Sequence, residues 1–171
     1  MKDKRKRHLL ILFLFVLVLC VQSASADSTT KGENDTYNVV KSMSRAKNRE
    51  GDWVSSKKGY RFRLKNTNQY LKNCWARIDD AIYRFDPYGY RRTGMYSFLG
   101  QKYYLKQNGQ LAVDFWMTNG SKRIYLQADG TMAVGFVSHE GQTYYFNKYG
   151  VMVRGLRRID KDLYYFRSDG T

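Results

Sequence analysis

Aromatic side chains are the residues in this 171-residue chain whose types and spacing could do chemistry. Tyr104, Tyr125, Tyr145 and Tyr165 follow one another at intervals of 21, 20 and 20 residues, with Trp75, Phe115, Trp116 and Phe136 set among them. Rings repeated at one spacing can stack on the flat face of a ligand or draw a cation to a π-face. Acid–base chemistry finds much less to work with. His139 falls in Ser138-His139-Glu140-Gly141, which reads as a loop between hairpins. Asp79-Asp80 falls in the equivalent loop of an earlier copy, where turn propensity accounts for it. No carboxylate pair facing across a cleft, no phosphate-cradling glycine loop leading into a helix and no metal-ligand cluster can be found. The chain is therefore not expected to be an enzyme, nor to carry a cofactor or metal.

The elements that must position these rings come from a repeat. Phe62-Arg63-Leu64, Tyr83-Arg84-Phe85, Tyr103-Tyr104-Leu105, Ile124-Tyr125-Leu126, Tyr144-Tyr145-Phe146 and Tyr164-Tyr165-Phe166 start 21, 20, 21, 20 and 20 residues apart. A turn residue follows each triplet at a fixed distance: Asn68, Gly89, Gly109, Gly130, Gly150 and Gly170. Asn68 is the one non-glycine, and Asn tolerates a left-handed backbone better than other side-chain-bearing residues. Two columns that keep one period through six copies define a repeat array. The pattern predicts an all-β fold, a solenoid of about six stacked β-hairpins of 20–21 residues. In each copy the aromatic strand is expected to run into Asn108-Gly109, Asp129-Gly130 or Asp169-Gly170 as its hairpin turn. A second short strand, such as Gln110–Val113 or Thr131–Val134, should then return.

Alternation along the aromatic strand separates two faces. Tyr83 and Phe85, Tyr103 and Leu105, Ile124 and Leu126, Tyr144 and Phe146, and Tyr164 and Phe166 share one face, suited to a continuous core. Arg84, Tyr104, Tyr125, Tyr145 and Tyr165 share the other and are expected to face outward. After the turn glycine and its return strand comes an apolar position read as Met95, Phe115, Phe136 and Leu156, with Trp116 beside Phe115. Around Asn73-Cys74-Trp75 the register is ambiguous by one residue.

The remaining sequence sets domain boundaries. Lys2, Lys4, Arg5, Lys6 and Arg7 precede an apolar run from Leu9 to Val21, and Ala24 and Ala26 come after it. That run is shorter than the roughly 20 residues a membrane span needs, so residues 1–26 read as a signal peptide cleaved after Ala26. The large Leu19 before Cys20 argues against lipidation. Residues 27–51 read as a polar, flexible leader, in which Val39, Val40 and Met43 could form one short amphipathic helix. The array then occupies residues 52–171. Export would leave Cys74 as the only thiol, read as a buried apolar residue, and the two cysteines are too few for a disulfide scaffold. With 30 basic against 15 acidic residues, the formal charge of +15 favours anionic surfaces.

The Gly-aromatic, Gly, Tyr-Tyr-Phe/Leu and Gly-x-Met pattern, best seen in Gly135-Phe136 through Gly141, Tyr144-Tyr145-Phe146, Gly150 and Met152, resembles the cell-wall-binding repeats of Gram-positive bacteria. Choline-binding, glucan-binding and clostridial-toxin repeats belong to that group. The resemblance covers residues 52–171 and implies stacked hairpins with ligand sites between successive repeats. It also implies a secreted, surface-associated protein that attaches to a polymer and does no chemistry. Carried onto this chain, it makes Trp75, Tyr104, Phe115, Trp116, Tyr125, Phe136, Tyr145 and Tyr165 the candidate ligand-binding residues. The implied partner is a cell-wall polymer or other glycan: teichoic acid, glucan or peptidoglycan. Choline is disfavoured, because Ile82, Lys102, Arg123, Thr143 and Leu163 replace the aromatic residue that choline-type repeats place before the tyrosine pair. Sugar rings stack on Tyr and Trp, and neighbouring Lys and Arg pair with phosphate or carboxylate. Two alternatives remain at this level, an electrostatic binder of anionic polymers such as teichoic acid or nucleic acid, and a cell-wall-hydrolase-associated module. No sequence-specific nucleic-acid recognition is expected. Because Thr171 directly succeeds a turn, end-to-end self-association is a further expectation.

Overall fold

The computed structural model describes residues 38–65 and 67–171; the signal peptide and the first part of the leader lie outside them. The described residues form one short helix and twelve strands. The helix is α1 (Val39–Ser44), and the strands pair in sequence order as six antiparallel hairpins. These are β1–β2 (Gly51–Ser56, Gly59–Leu64), β3–β4 (Trp75–Ile78, Ala81–Arg84) and β5–β6 (Gly94–Phe98, Gln101–Leu105). They continue with β7–β8 (Phe115–Asn119, Lys122–Leu126), β9–β10 (Gly135–His139, Gln142–Phe146) and β11–β12 (Gly155–Ile159, Asp162–Phe166). The expected all-β repeat array is present. No helix among the described residues is long and apolar enough to cross a membrane.

The paired strands meet at a different turn from the expected one. Each hairpin closes through two residues ahead of the aromatic strand, such as Asp79-Asp80 (φ 47° and 61°) or Glu140-Gly141 (φ 50° and 75°). Left-handed backbone at both central positions matches the twist of the flanking strands. The Asn-Gly and Asp-Gly sites still turn sharply: at Asp129-Gly130 the amide of Gly130 donates to the carbonyl of Gln127 at 2.8 Å, and the amide of Gln127 donates to that of Thr131 at 2.8 Å. Beyond each such turn the chain does not form a second strand of the same hairpin. It runs into a short segment that makes a single bridge, Phe146 with Met152 or Leu126 with Met132.

The reason is that this segment serves two repeats at once. Met132 donates its amide to Lys102 and Met152 to Arg123, both at 2.8 Å. Those carbonyls belong to the aromatic strand of the preceding copy. In the other half of the chain, Arg91 donates to Tyr60 (2.8 Å) and Leu111 to Ile82 (2.7 Å) in the same way. A two-stranded ribbon is marginal in water, and these bonds tie each ribbon to its neighbour. The turn glycine completes the join. A Cβ at Gly150 would lie 2.8 Å from Met132 Cγ, and its φ of +77° disfavours any side chain.

The chain divides into two compact units. The first takes the described residues to Gly94 together with Leu105–Leu111, and the second Met95–Tyr104 together with Ala112–Thr171. In the first, Phe62, Leu71, Cys74, Ala76, Ile78, Tyr83 and Phe85 are buried together, with Trp53 packed against them. Burial of Cys74 is as the sequence reading expects. In the second, Ala112, Ile124, Leu126 and Met132 form one buried cluster, and Tyr125, Ala133, Phe146 and Met152 form the next.

The leader is docked rather than loose over its described part. Asn38 caps α1 by accepting from the Lys41 amide at 2.9 Å. Val39 and Met43, four apart on one helical face, are both buried. Arg77 donates to the Ser44 carbonyl (2.7 Å) and to Asp80 (2.7 Å), while Asn48 donates to Asp80 (3.1 Å). The bond from Asn48, then the one from Arg77, holds the Asp80 carboxyl below its usual range.

Candidate functional site

The second face is not uniformly open, which corrects the outward placement of its residues. Tyr125 is 3% exposed and Arg84 7%, whereas Tyr165 is 73% exposed. Where a further repeat succeeds it, that repeat's core residues press against this face. The ring clusters therefore lie between successive hairpins rather than along a free surface.

Cross-strand pairing settles which residues share a column. Trp75 pairs with Arg84, Trp116 with Tyr125, Phe136 with Tyr145 and Leu156 with Tyr165. Trp116, not Phe115, is thus the equivalent of Phe136; Phe115 stands where Gly135 and Gly155 stand. The sequence held the signal, because each of these pairs is nine residues apart. Phe115 instead stacks on Tyr104, centroids 6.3 Å apart and planes 11° apart. Trp75 is buried, with the Arg84 guanidinium 6.0 Å from its ring centre, and Arg84 also donates to Asn73 at 2.7 Å.

Two clusters in the second unit share one layout. In the first, Trp116 lies 4.8 Å from Tyr125 and 5.1 Å from Tyr144, with Phe146 at 5.9 Å. In the second, Phe136 lies 4.8 Å from Tyr145 and 5.1 Å from Tyr164, with Phe166 at 6.5 Å. Tyr144 and Tyr164, assigned to the core face, thereby contribute to the clusters. Alternation alone could not reveal this, since one repeat's core face is its neighbour's lid.

Polar neighbours separate the two. Arg123 stands over Trp116 at 4.1 Å and occupies the π-face that a ligand cation would need. The Tyr125 hydroxyl donates to Asp114 at 2.8 Å and lies 2.9 Å from His139 Nδ1. Burial first, then the Asp114 hydrogen bond and charge, push the Tyr125 phenol up to about 12. His139 is thus not a bare loop residue; it ends β9, its side chain is largely covered, and its ring is 4.7 Å from that of Tyr125. Around Phe136 the corresponding positions are Thr143, Val134 and Ile159, none of them charged. Phe136 itself is 47% exposed, whereas Arg123 covers Trp116. No group of three potential metal ligands occurs among the described residues.

Comparison with known proteins matches this arrangement. A family model described as a putative cell wall binding repeat matches residues 134–152, the stretch that holds Phe136 and Tyr145. Over that stretch the chain is similar to cell-wall-binding repeats. The structure of choline binding protein F from Streptococcus pneumoniae, determined in the presence of a peptidoglycan analogue, superposes with a TM-score of 0.63 at 26% identity. That match covers 85% of this chain and 46% of the other. The multimodular pneumococcal cell wall endolysin from phage Cp-1, complexed with choline, gives 0.52 at 29% identity over 82% of this chain and 39% of its own. Glucosyltransferase-S of Streptococcus mutans is 31% identical over 108 residues, 60% of this chain and 7% of that enzyme. The chain therefore spans less than half of each relative, and it aligns with hydrolase and transferase alike.

Proposed function

We propose that this protein is a secreted, non-catalytic binder of a cell-wall polymer or related glycan, attached through the aromatic clusters between its cell-wall-binding repeats. The observation that carries this reading is the Phe136–Tyr145–Tyr164 cluster. Tyr145 and Tyr164 each lie about 5 Å from the Phe136 ring, that ring is half exposed, and the positions equivalent to Arg123, Asp114 and His139 hold uncharged residues here. Such a set offers stacking faces to a sugar ring. Tyr104 with Phe115 contributes secondary contacts, Tyr165 extends the surface, and Trp116 serves the joint between repeats. Trp75 and Tyr125 act from beneath, by holding neighbours in place. Weak sites repeated along one chain add through effective concentration, and the basic surface draws the protein to an anionic wall. Catalysis has no part in this reading.

A second reading concerns the same cluster. Ring planes inclined at 56° and 62° surround Phe136 on two sides, a layout that also suits a quaternary ammonium. Sedimentation of the protein with purified Gram-positive walls, with free choline or soluble glucan as competitor, separates the two. Release by glucan or wall saccharide, with choline inert, is expected. Release by choline alone would move the assignment to the ammonium, and absence of wall binding would refute both.

A further inference from the structure

We propose that the first unit carries a second ligand site, separate from the ring clusters, in which Arg61 and Lys72 bind the phosphodiester groups of an anionic wall polymer. The proposal extends the polymer-binding reading, but its residues and its test are independent of the Phe136 cluster.

Arg61 differs from its neighbours in how its charge is handled. Arg63 pairs with Asp52 at 3.3 Å and Arg77 with Asp80 at 2.7 Å. Arg84 donates to Asn73 (2.7 Å) and Arg91 to the Gln107 carbonyl (3.2 Å). Arg61 has no such partner among the described residues. Its guanidinium lies 3.6 Å from the centre of the Tyr70 ring and 5.6 Å from that of Tyr90, and its Nε is shut from solvent without a hydrogen bond. Stacking on tyrosine fixes the plane of the group without neutralising it. The terminal nitrogens remain as an oriented donor edge with no protein acceptor.

The stem of a second basic side chain, Lys72, approaches the same glycine as Arg61 does. Gly89, with φ +88°, lets both side chains approach: a Cβ there would lie 3.5 Å from Arg61 Nε and 3.3 Å from Lys72 Cγ. Next to them opens a hollow of about 420 Å³ lined by Asn68, Gln69, Tyr70 and Lys72. No acidic residue lines it. A planar guanidinium beside a compact ammonium matches an oxyanion that accepts from several directions, as phosphate does. Asn68 and Gln69 supply amide donors and acceptors for the hydroxyls of a polyol or sugar between phosphates. The chemistry is that of a phosphodiester-linked polyol or sugar chain.

The test uses the whole protein and polyglycerol phosphate, with binding measured by titration calorimetry. Arg61→Ala should weaken binding about tenfold, the loss expected for a charge-assisted contact. Arg157→Ala, which removes one exposed charge elsewhere, should change it less than about twofold. Arg61→Lys keeps the charge but loses the stacked fork, and should fall between wild type and Arg61→Ala; it decides the matter if Arg61→Ala fails to fold by circular dichroism. Equal losses in Arg61→Ala and Arg157→Ala would overturn the site in favour of diffuse charge, as would wild-type binding by Arg61→Ala or by Arg61→Lys. A uronic-acid glycan bound as tightly as polyglycerol phosphate, with the same Arg61 dependence, would overturn the phosphate assignment. Neutral-glucan binding should be untouched by Arg61→Ala. Its absence from the wild-type protein, with the Arg61 effect intact, would refute the ring-cluster reading and leave this site standing.

Discussion

The Trp116 and Phe136 clusters are two copies of one construction that differ in the side chains around them. Both set a ring on the first strand of a hairpin against a tyrosine on the second, and both are closed by a tyrosine and a phenylalanine from the next repeat. Around Trp116 the chain supplies its own ligands: Arg123 over the indole, and Asp114 with His139 on the Tyr125 hydroxyl. Around Phe136 those places hold Thr143, Val134 and Ile159. A similar ring layout therefore stands among charged neighbours in one repeat and uncharged ones in the next; on the proposed function the first is a structural joint and the second a binding surface. A repeat array can vary in this way because each interface depends on its two neighbours alone.

Substitutions can break that contrast. Trp116→Ala should have the largest effect on folding, a loss of about 3 kcal/mol by thermal or chemical denaturation, because a ring enclosed by four aromatic neighbours leaves a cavity. Its effect on polymer binding should be secondary to that loss. Phe136→Ala should do the reverse: about 1 kcal/mol of stability for a half-exposed ring, with polymer affinity down about tenfold. If the two variants exchange phenotypes, joint and site have been assigned the wrong way round.

A smaller effect sharpens the comparison through pH. The Tyr125 phenol is raised from its ordinary value of 10.0 to about 12 in the fold. A raised value means that the folded protein favours the protonated form. The corresponding stability is fully present below pH 10 and is lost as pH climbs through 12. Tyr125→Phe removes that titration, so its denaturation midpoint should fall less steeply than the wild type's across pH 10 to 12. Equal slopes would show that the Asp114–Tyr125–His139 set contributes no pH-linked stability.

Much of this was legible in the sequence, and the remainder was hidden for physical causes. The aromatic triplets and the turn column fixed the repeat, because strand alternation and a left-handed turn residue each leave a local mark. Asn68, the one non-glycine in that column, does adopt a left-handed φ of 54°. The hairpin partner was misplaced because Asn-Gly and Asp-Gly dipeptides are strong turn signals wherever a chain reverses. Here they reverse it into a segment that bonds to another repeat, a long-range choice that local propensity does not encode. The same blindness affected Tyr125 and His139, which meet each other although they stand in different repeats. Phe115 misled because it stands in a column that the later copies fill with glycine. Docking of α1 was missed because its anchors, Arg77 and Asp80, lie more than thirty residues away and read as ordinary turn and strand residues.

The most direct test of the central claim is a calorimetric titration of a neutral glucan into the wild-type protein and into Phe136→Ala, each at low and high salt. Stacking on an open ring cluster predicts that the variant binds about tenfold more weakly at both ionic strengths, while the wild-type affinity changes little with salt. An unchanged affinity in Phe136→Ala, with binding that vanishes in salt for both proteins, would contradict it and leave charge alone as the attachment.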